Sequence, residues 1–248
     1  YNISKTKVMD IKIQIPCLQE QELIGRQFYL IDNLITLHQR KLESLKKMKK
    51  ALLEKMFPRD GENKPSIRFK GFTDSWEQRK LGELSSSFEY GLNVPSKEYD
   101  GINKYIRITD IDDGNREFNR SNITSPNIDL NSAANYKLSE GDILFARTGA
   151  SVGKSYIYKN SDGVVYYAGF LIRAKIKSEF NTEFVFQNTL TDSYKNYIRL
   201  TSMRSGQPGV NAQEYSHFLI IIPQKDEQDK VGACLRNIDN LITLHQRK

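Results

Sequence analysis

Residues 31–41 read IDNLITLHQRK, and residues 238–248 read IDNLITLHQRK again, an identity of eleven residues in eleven. The match extends backwards in the same register, pairing Ile15-Pro16 with Ile222-Pro223, Glu20-Gln21 with Glu227-Gln228, and Gly25 with Gly232. Chance does not produce a repeat of this length. The two segments are therefore duplicated, and we expect them to share one structure.

The apolar residues of both copies recur at alternating steps of three and four, which is the heptad pattern of a coiled coil. The predicted helix-pairing residues are Ile24, Phe28, Ile31, Ile35, Leu42, Leu45 and Leu52 in the first copy and its continuation, and Val231, Leu235, Ile238 and Ile242 in the second. His38 and Lys49 stand on the same seam, where polar residues set the register. The pattern predicts a helix from about residue 18 to residue 57, roughly 60 Å long. Its length favours pairing with the other copy, from the same chain or from a second one.

Between the copies, the sequence predicts a globular α+β domain with short, mostly antiparallel strands, flanked by the long coiled-coil-forming helices. Strand-like runs occupy residues 105–109, 142–146, 154–158, 164–167, 170–176 and 216–222, and amphipathic patterns predict helices over residues 76–84 and 183–200. Residues 11–16 match residues 218–223 and are predicted to be the terminal strand of a preceding domain. The expected division is residues 1–16, a central helix over 17–57, a globular domain over 58–223, and a second helix over 224–248.

The composition favours an anionic partner, because the formal net charge is +7 and the isoelectric point is about 9.2. The two cysteines, Cys17 and Cys234, cannot form the disulfide framework of a small secreted protein, so we expect a cytoplasmic protein. The longest apolar run, residues 218–222, is far too short to span a membrane. The chain begins at Tyr1 and shows no signal peptide, and we interpret it as a piece of a longer protein.

No pattern of catalytic or metal-ligating residues stands out in the sequence. The three histidines, His38, His217 and His245, are dispersed, and together with the two cysteines they do not form a metal-ligand spacing. Residues 149–155 read GASVGKS, but three residues separate the glycines where a phosphate-binding Walker A loop has four. We expect a non-enzymatic protein, with a coiled-coil adaptor whose globular domain binds protein as one alternative.

A series of short motifs resembles the specificity subunit of type I restriction–modification systems. The matching features are the pattern PxxxEQxxxG before each helix, the helix end LKKMKKALLEKMF (residues 45–57), the entry segment FKGFTDSWEQRKLG (69–82), Gly91-x-x-x-Pro95-Ser96-Lys97, YIRITD (105–110), GDIL (141–144), Arg147-x-Gly149, and SGQP (205–208). Each motif is weak alone, but in series they cover nearly the whole chain in the order of that family.

The resemblance implies a DNA-recognition subunit without catalytic activity. In that family two target-recognition domains alternate with two helical regions, which pair antiparallel and set the gap between two half-sites. This chain would then be a C-terminal half with one target-recognition domain. The implied partners are double-stranded DNA, a modification subunit and a restriction subunit, and those subunits would carry S-adenosylmethionine, ATP and Mg. Such a half could also form a homodimer through its helices.

Three groups of polar residues are candidates for contact with DNA. The first is the loop after residues 142–146, with Arg147, Thr148, Ser151 and Lys154; the second is Lys97, Lys104, Arg107 and Thr109; the third is Arg204, Ser205, Gln207 and Asn211. Arginine and glutamine suit guanine and adenine edges, so Arg147, Arg107 and Gln207 are predicted to contact bases. Lys97, Lys104 and Lys154 are predicted to contact phosphates. Each residue, taken singly, also fits a solvated surface position.

Overall fold

The computed structural model describes residues 4–203 and 208–246. The duplicated segments are both helical. Helix α2 spans Leu18–Met56 and helix α7 spans Lys225–Gln246, as the repeat predicts. Both copies begin with the same hydrogen bond, in which the Gln21 side chain donates to the Pro16 carbonyl (2.7 Å) and the Gln228 side chain donates to the Pro223 carbonyl (2.8 Å).

The second half of α2 packs antiparallel against α7. Leu45, Ile238 and Ile242 form a buried cluster, and Leu42 and Leu52 pack against it. Further along, Lys49 forms an ion pair with Asp239, and the Nδ1 atoms of His38 and His245 lie 3.2 Å apart. Lys49 follows His38 along α2, whereas Asp239 precedes His245 along α7, so the two helices run antiparallel. The predicted pairing of the two copies therefore occurs within one chain.

The strands between the helices are short and mostly antiparallel, as predicted. They are β1 (Glu77–Lys80), β2 (Ser85–Tyr90), β3 (Ser96–Glu98), β4 (Lys104–Ile106), β5 (Thr124–Pro126), β6 (Ile143–Ala146), β7 (Ser155–Ile157), β8 (Val165–Tyr167), β9 (Leu171–Ile176) and β10 (Leu219–Ile222). The central sheet has the antiparallel order β2-β9-β6-β7. The pairs β1-β10 and β3-β5 are antiparallel, and β4-β8 is parallel.

Short helices complete the domain. The α-helices are α1 (Lys5–Met9), α3 (Leu81–Leu84), α4 (Thr182–Asn188), α5 (Asp192–Ser202) and α6 (Ala212–Ser216), and the 3-10 turns are Ile108–Asp110, Ala134–Tyr136, Gly149–Ser151 and Asn160–Asp162. Among residues 4–203 and 208–246, no helix combines the length and apolar composition that crossing a bilayer requires.

Strand β6 is buried on both faces, because successive side chains of a strand point to opposite sides of the sheet. Ile143 and Phe145 belong to the core that holds Phe184 of α4 and Tyr194 of α5. Leu144 and Ala146 belong to a second core, on the side of β4 and β8. The central sheet is therefore the middle layer of the domain.

The start of α7 is part of the domain core. Val231 and Leu235 are buried in the cluster that contains Phe184. Glu227, which is also buried, forms an ion pair with Arg68 (2.7 Å) and accepts a hydrogen bond from the Trp76 indole (3.1 Å). The domain is thus fixed to its helix by both apolar packing and a buried charge pair.

The structure differs from the sequence-based assignment over residues 11–16 and over residues 76–84. Residues 11–16 are not a strand here, whereas their counterpart β10 pairs with β1; none of the described strands pairs with residues 11–16, and their assignment to a preceding domain stays a prediction. The helix predicted over residues 76–84 is strand β1 followed by α3, because pairing with β10 overrides the amphipathic pattern of Glu77–Lys80.

Two further predictions misplaced the ends of elements. The strand predicted over residues 105–109 ends at Ile106 and continues as the 3-10 turn Ile108–Asp110. The single helix predicted over residues 183–200 is divided into α4 and α5. Thr191 starts the second of these helices, because its hydroxyl accepts the Tyr194 N–H as an N-cap.

Candidate nucleic-acid interface

Three chain segments meet at one end of the central sheet. Tyr90 at the end of β2 lies opposite Ile172, and Ala146 at the end of β6 lies opposite Leu171. The residues that follow β2 and β6 and those that precede β9 therefore lie at the same edge. This register brings Arg147 beside Phe170, although the two are distant in sequence.

Arg147 is fixed at this edge through its main chain and its side chain. Its N–H donates to the Phe170 carbonyl (3.0 Å), and its carbonyl accepts from the Val210 N–H (2.9 Å). Its guanidinium lies over the Tyr90 ring, 4.9 Å from the centroid, at a distance typical of a cation–π contact. The Tyr90 hydroxyl in turn accepts a hydrogen bond from the Ala212 N–H (3.2 Å).

The loop after Arg147 is held against the segment that leads into α6. Thr148 forms an isolated antiparallel bridge with Gly209. The loop then turns through Gly149–Ser151, so Ser151 lies in a 3-10 turn and is partly exposed. Gly153 has a positive φ of 81°, and a Cβ there would lie 2.6 Å from Ile198. A glycine is needed at this point of the loop.

Lys154 and Lys104 are engaged within the protein. The Lys154 ammonium forms an ion pair with Asp113 (2.7 Å), and its side chain is only 14% exposed. This hydrogen bond lowers the pKa of Asp113 below its ordinary value. The Lys104 ammonium donates to the Asp162 carbonyl. To bind a phosphate, either lysine would first have to leave these partners.

The strand predicted over residues 105–109 would place Arg107 and Thr109 on one face of the sheet, and the structure contradicts this arrangement. The strand ends at Ile106, and Thr109 lies in the 3-10 turn that follows. The Arg107 guanidinium donates two hydrogen bonds to the Asp110 carboxylate, each 2.9 Å long. Its donors face its own turn. Lys97, on β3, is exposed.

The third predicted group is described only in part. Asn211 is exposed and caps α6, where its side chain accepts from the Glu214 N–H (2.9 Å). Arg204, Ser205 and Gln207 lie outside the described residues. Asn211 precedes Ala212, whose N–H donates to Tyr90, and this connection brings it to the same edge as Arg147.

The predicted helix-pairing residues fall into two groups. Leu42, Leu45 and Leu52 pack with Ile238 and Ile242 between the helices, while Val231 and Leu235 lie in the domain core. The residues of the first half of α2 are exposed: Ile24, Phe28, Ile31 and Ile35.

The family model of the type I restriction modification DNA specificity domain matches residues 73–248. The chain belongs to this family. Over its whole length it is 25% identical to the type I restriction enzyme MjaVIII specificity subunit of Methanocaldococcus jannaschii. It is equally 25% identical to the putative MjaX specificity subunit of the same organism. The chain spans 60% and 57% of the lengths of these two relatives.

Solved structures share the fold. The HsdS subunit from Thermoanaerobacter tengcongensis superposes with a TM-score of 0.56 at 16% identity, over 99% of this chain and 57% of that one. The type I restriction–modification S subunit from M. genitalium gives a TM-score of 0.53 at 14% identity, over 92% and 54% of the two chains. These similarities agree with the α+β architecture predicted from the sequence.

The specificity domain has exposed residues beside Arg147 that the sequence did not single out. Tyr90 and Phe170 are 43% and 59% exposed, and Asn93 is also exposed. Asn93 lies beside Gly169: a Cβ atom placed on Gly169 would be 3.4 Å from the Cα atom of Asn93. We refer to the following set as the Arg147 edge: Tyr90, Asn93, Arg147, Thr148, Phe170 and Asn211. The sequence pattern predicted no strand over Ser85–Tyr90, and the cluster could not be recognised because it depends on the register of the sheet.

A cleft of about 1990 Å³ separates the paired helices from the specificity domain. Cations such as Lys46 and Arg199 line it together with carboxylates such as Asp60 and Asp192. Eleven lysine and arginine side chains and eight carboxylates line the cleft, so its net charge is positive. Several of these cations are paired with carboxylates inside the protein, as Lys49 is with Asp239 and Lys154 is with Asp113. Among residues 4–203 and 208–246, no group of three histidine, cysteine or acidic side chains could hold a metal ion.

Proposed function

We propose that this chain reads DNA sequence for a type I restriction–modification enzyme, with the Arg147 edge facing base edges in the major groove. The observation that carries the proposal is the fixed presentation of Arg147, between the Phe170 carbonyl and the Tyr90 ring, in a member of a DNA specificity family. A guanidinium can donate two hydrogen bonds to guanine O6 and N7, and this is the commonest specific contact to DNA.

Lys97 is the best candidate for a phosphate contact. It is exposed, and it follows Asn93 of the Arg147 edge by only four residues, a span of at most about 14 Å. Phosphate contacts supply affinity and orientation without reading sequence. The proposed division therefore assigns base recognition to Arg147 and backbone anchoring to Lys97.

We further propose that the chain reads one half of a bipartite target and has no catalytic role of its own. Methyl transfer and restriction, with S-adenosylmethionine, ATP and Mg, are assigned to modification and restriction subunits that dock on it. One folded specificity domain mounted on one pair of helices supports a single half-site per chain.

The test is a selection from randomised duplexes, performed with the chain in complex with its modification subunit. Arg147→Ala is expected to relax base preference at one position, whereas Lys97→Ala should weaken binding to all sequences alike and reduce the salt dependence. A wild-type complex that selects no sequence would contradict the proposal. A protein-binding adaptor would be favoured instead if the wild-type complex bound no duplex DNA and charge reversal by Arg147→Glu left its assembly unchanged.

The first half of α2 supports a homodimer as the form in which such a half-subunit works. Ile24, Phe28, Ile31 and Ile35 are each 44% to 63% exposed, whereas their counterparts in the repeat are buried against a helix and a domain. The apolar residues of a heptad seam pack against the same kind of residues on a partner helix. The same seam of a second chain would therefore cover the exposed one. Two specificity domains would then face one DNA duplex.

A further inference from the structure

An exposed phenylalanine lies directly beside Arg147. The Phe170 carbonyl accepts the Arg147 N–H (3.0 Å), and the two residues lie opposite each other, Arg147 immediately after β6 and Phe170 immediately before β9. The Phe170 side chain is 59% exposed. A ring in this position contributes little to the core and is available for an apolar contact with a ligand.

The Tyr90 ring limits the freedom of the Arg147 side chain from the other side. The ring lies under the guanidinium, and its hydroxyl is tied to the Ala212 N–H. A side chain that is already oriented loses less conformational entropy when it binds. Tyr90 therefore acts on the bases through Arg147 and is a positioning residue.

We propose that Phe170 contacts the C5 methyl group of a thymine adjacent to the guanine that Arg147 reads, and that Tyr90 orients Arg147 for that guanine. The inference rests on the DNA-reading function proposed above. Neighbouring strands are about 4.8 Å apart and neighbouring base pairs about 3.4 Å apart, so two adjacent side chains can meet two adjacent base pairs. Apolar contact with the thymine methyl is an established form of major-groove reading.

Base analogues in the selected site test each contact separately. Replacing thymine by deoxyuridine removes only the methyl group, and replacing guanine by 7-deazaguanine removes only the N7 acceptor. The wild-type complex should lose about 4-fold in affinity for one deoxyuridine duplex. It should lose at least about 5-fold for one 7-deazaguanine duplex at the neighbouring base pair.

The variants locate the side chains responsible. Phe170→Ala should bind the thymine and deoxyuridine duplexes equally, and Arg147→Ala should bind the guanine and 7-deazaguanine duplexes equally. Tyr90→Leu should lose most of the 7-deazaguanine discrimination, whereas Tyr90→Phe, which keeps the ring, should retain it. Ile67→Ala removes a 43% exposed side chain elsewhere and should leave both discriminations unchanged.

The outcomes separate this inference from the function on which it rests. A wild-type complex without any sequence preference would overturn the DNA-reading function itself. A sequence-selective complex that is insensitive to deoxyuridine, or a Phe170→Ala complex as sensitive as the wild type, would overturn the thymine contact alone. A Tyr90→Leu complex with intact 7-deazaguanine discrimination would overturn the positioning role, given unchanged thermal unfolding of each variant.

Discussion

Glu227 shows how one residue gains its role from its surroundings. It is 1% exposed, and its carboxylate accepts hydrogen bonds from Arg68 and from the Trp76 indole. Its counterpart in the repeat, Glu20, is exposed. The same residue type at the same point of the same motif is thus a core ion pair in one copy and a surface charge in the other.

Glu227→Gln should lower the free energy of unfolding by about 1–3 kcal/mol, because the largely covered Arg68 guanidinium is left without its counter-charge. Glu20→Gln is the matched control and should change it by less than about 0.5 kcal/mol. Chemical denaturation of both variants measures the difference. Equal effects of the two substitutions would show that the Arg68 pair does not stabilise the attachment of α7.

The fold lowers the pKa of the Asp100 carboxyl group and so stabilises its ionised form. Its carboxylate accepts from the Ile102 N–H (2.9 Å), the Asn103 N–H (2.7 Å) and the Asn103 side chain (2.9 Å). The Asn103 side-chain hydrogen bond and these two backbone hydrogen bonds lower its pKa from 3.8 to about 2. A lowered folded-state pKa stabilises the fold above the unfolded value of 3.8, and this stabilisation disappears as the pH falls towards 2.

An NMR titration of the Asp100 side-chain carboxyl carbon should therefore give a midpoint near pH 2. Asn103→Ala removes the side-chain donor and should move the midpoint towards the ordinary value of an aspartate. A wild-type midpoint at or above 3.8 would contradict the hydrogen-bonded turn.

At the scale of elements, local sequence predicted the duplicated helices but not the elements whose conformation depends on a distant partner. Helices α2 and α7 followed from an eleven-residue identity and a heptad seam, both of which are local. Strand β1 was mistaken for a helix because its conformation depends on β10, which lies far along the chain. Likewise, Arg107 and Lys154 were predicted to contact DNA, because the ion pairs that they form with Asp110 and Asp113 could not be recognised from sequence.

Gly25 and Gly232 occupy equivalent positions of the two duplicated helices but have different surroundings. A Cβ on Gly232 would lie 2.6 Å from Asn181 Oδ1 and 3.1 Å from the Phe184 nitrogen, whereas a Cβ on Gly25 would meet nothing within 4 Å. Gly232→Ala should destabilise the fold by about 1–3 kcal/mol through overpacking. Gly25→Ala should stabilise it by up to about 1 kcal/mol, since alanine is the better helix former.

Thermal unfolding of the two alanine variants should therefore shift in opposite directions. Because the substitutions are the same and both sites are helical, intrinsic helix propensity cancels in the comparison. Shifts of the same sign would show that α7 does not approach α4 as closely as these distances indicate.

At the scale of the whole molecule, the repeat relates two different environments. His38 meets His245 across the antiparallel helices, and these residues are equivalent positions of the repeat. In this chain the seam residues of α7 are buried against α2 and against the specificity domain. By analogy, the exposed first half of α2 would be covered by a helix with the same seam and by an adjacent domain. Within the Arg147 edge, sequence alone identified Arg147, Thr148 and Asn211, whereas Tyr90, Asn93 and Phe170 required the sheet register.

The homodimer proposal predicts that one substitution has different effects in the two copies. Ile31 is 48% exposed and its repeat partner Ile238 is 6% exposed. Ile31→Asp should leave the unfolding of the monomer nearly unchanged but abolish the dimer, because a charge on a buried seam is not tolerated. Ile238→Asp should instead destabilise the single chain.

Sedimentation equilibrium over a range of concentrations distinguishes these outcomes, with the thermal unfolding of each variant as the control for folding. A wild-type chain that remains monomeric at high concentration would show that the exposed seam does not pair with itself. A dimer that persists in Ile31→Asp would place the contact elsewhere on the molecule. Loss of the dimer alone, with Ile31→Asp fully folded, would assign the dimer contact to the exposed seam of α2.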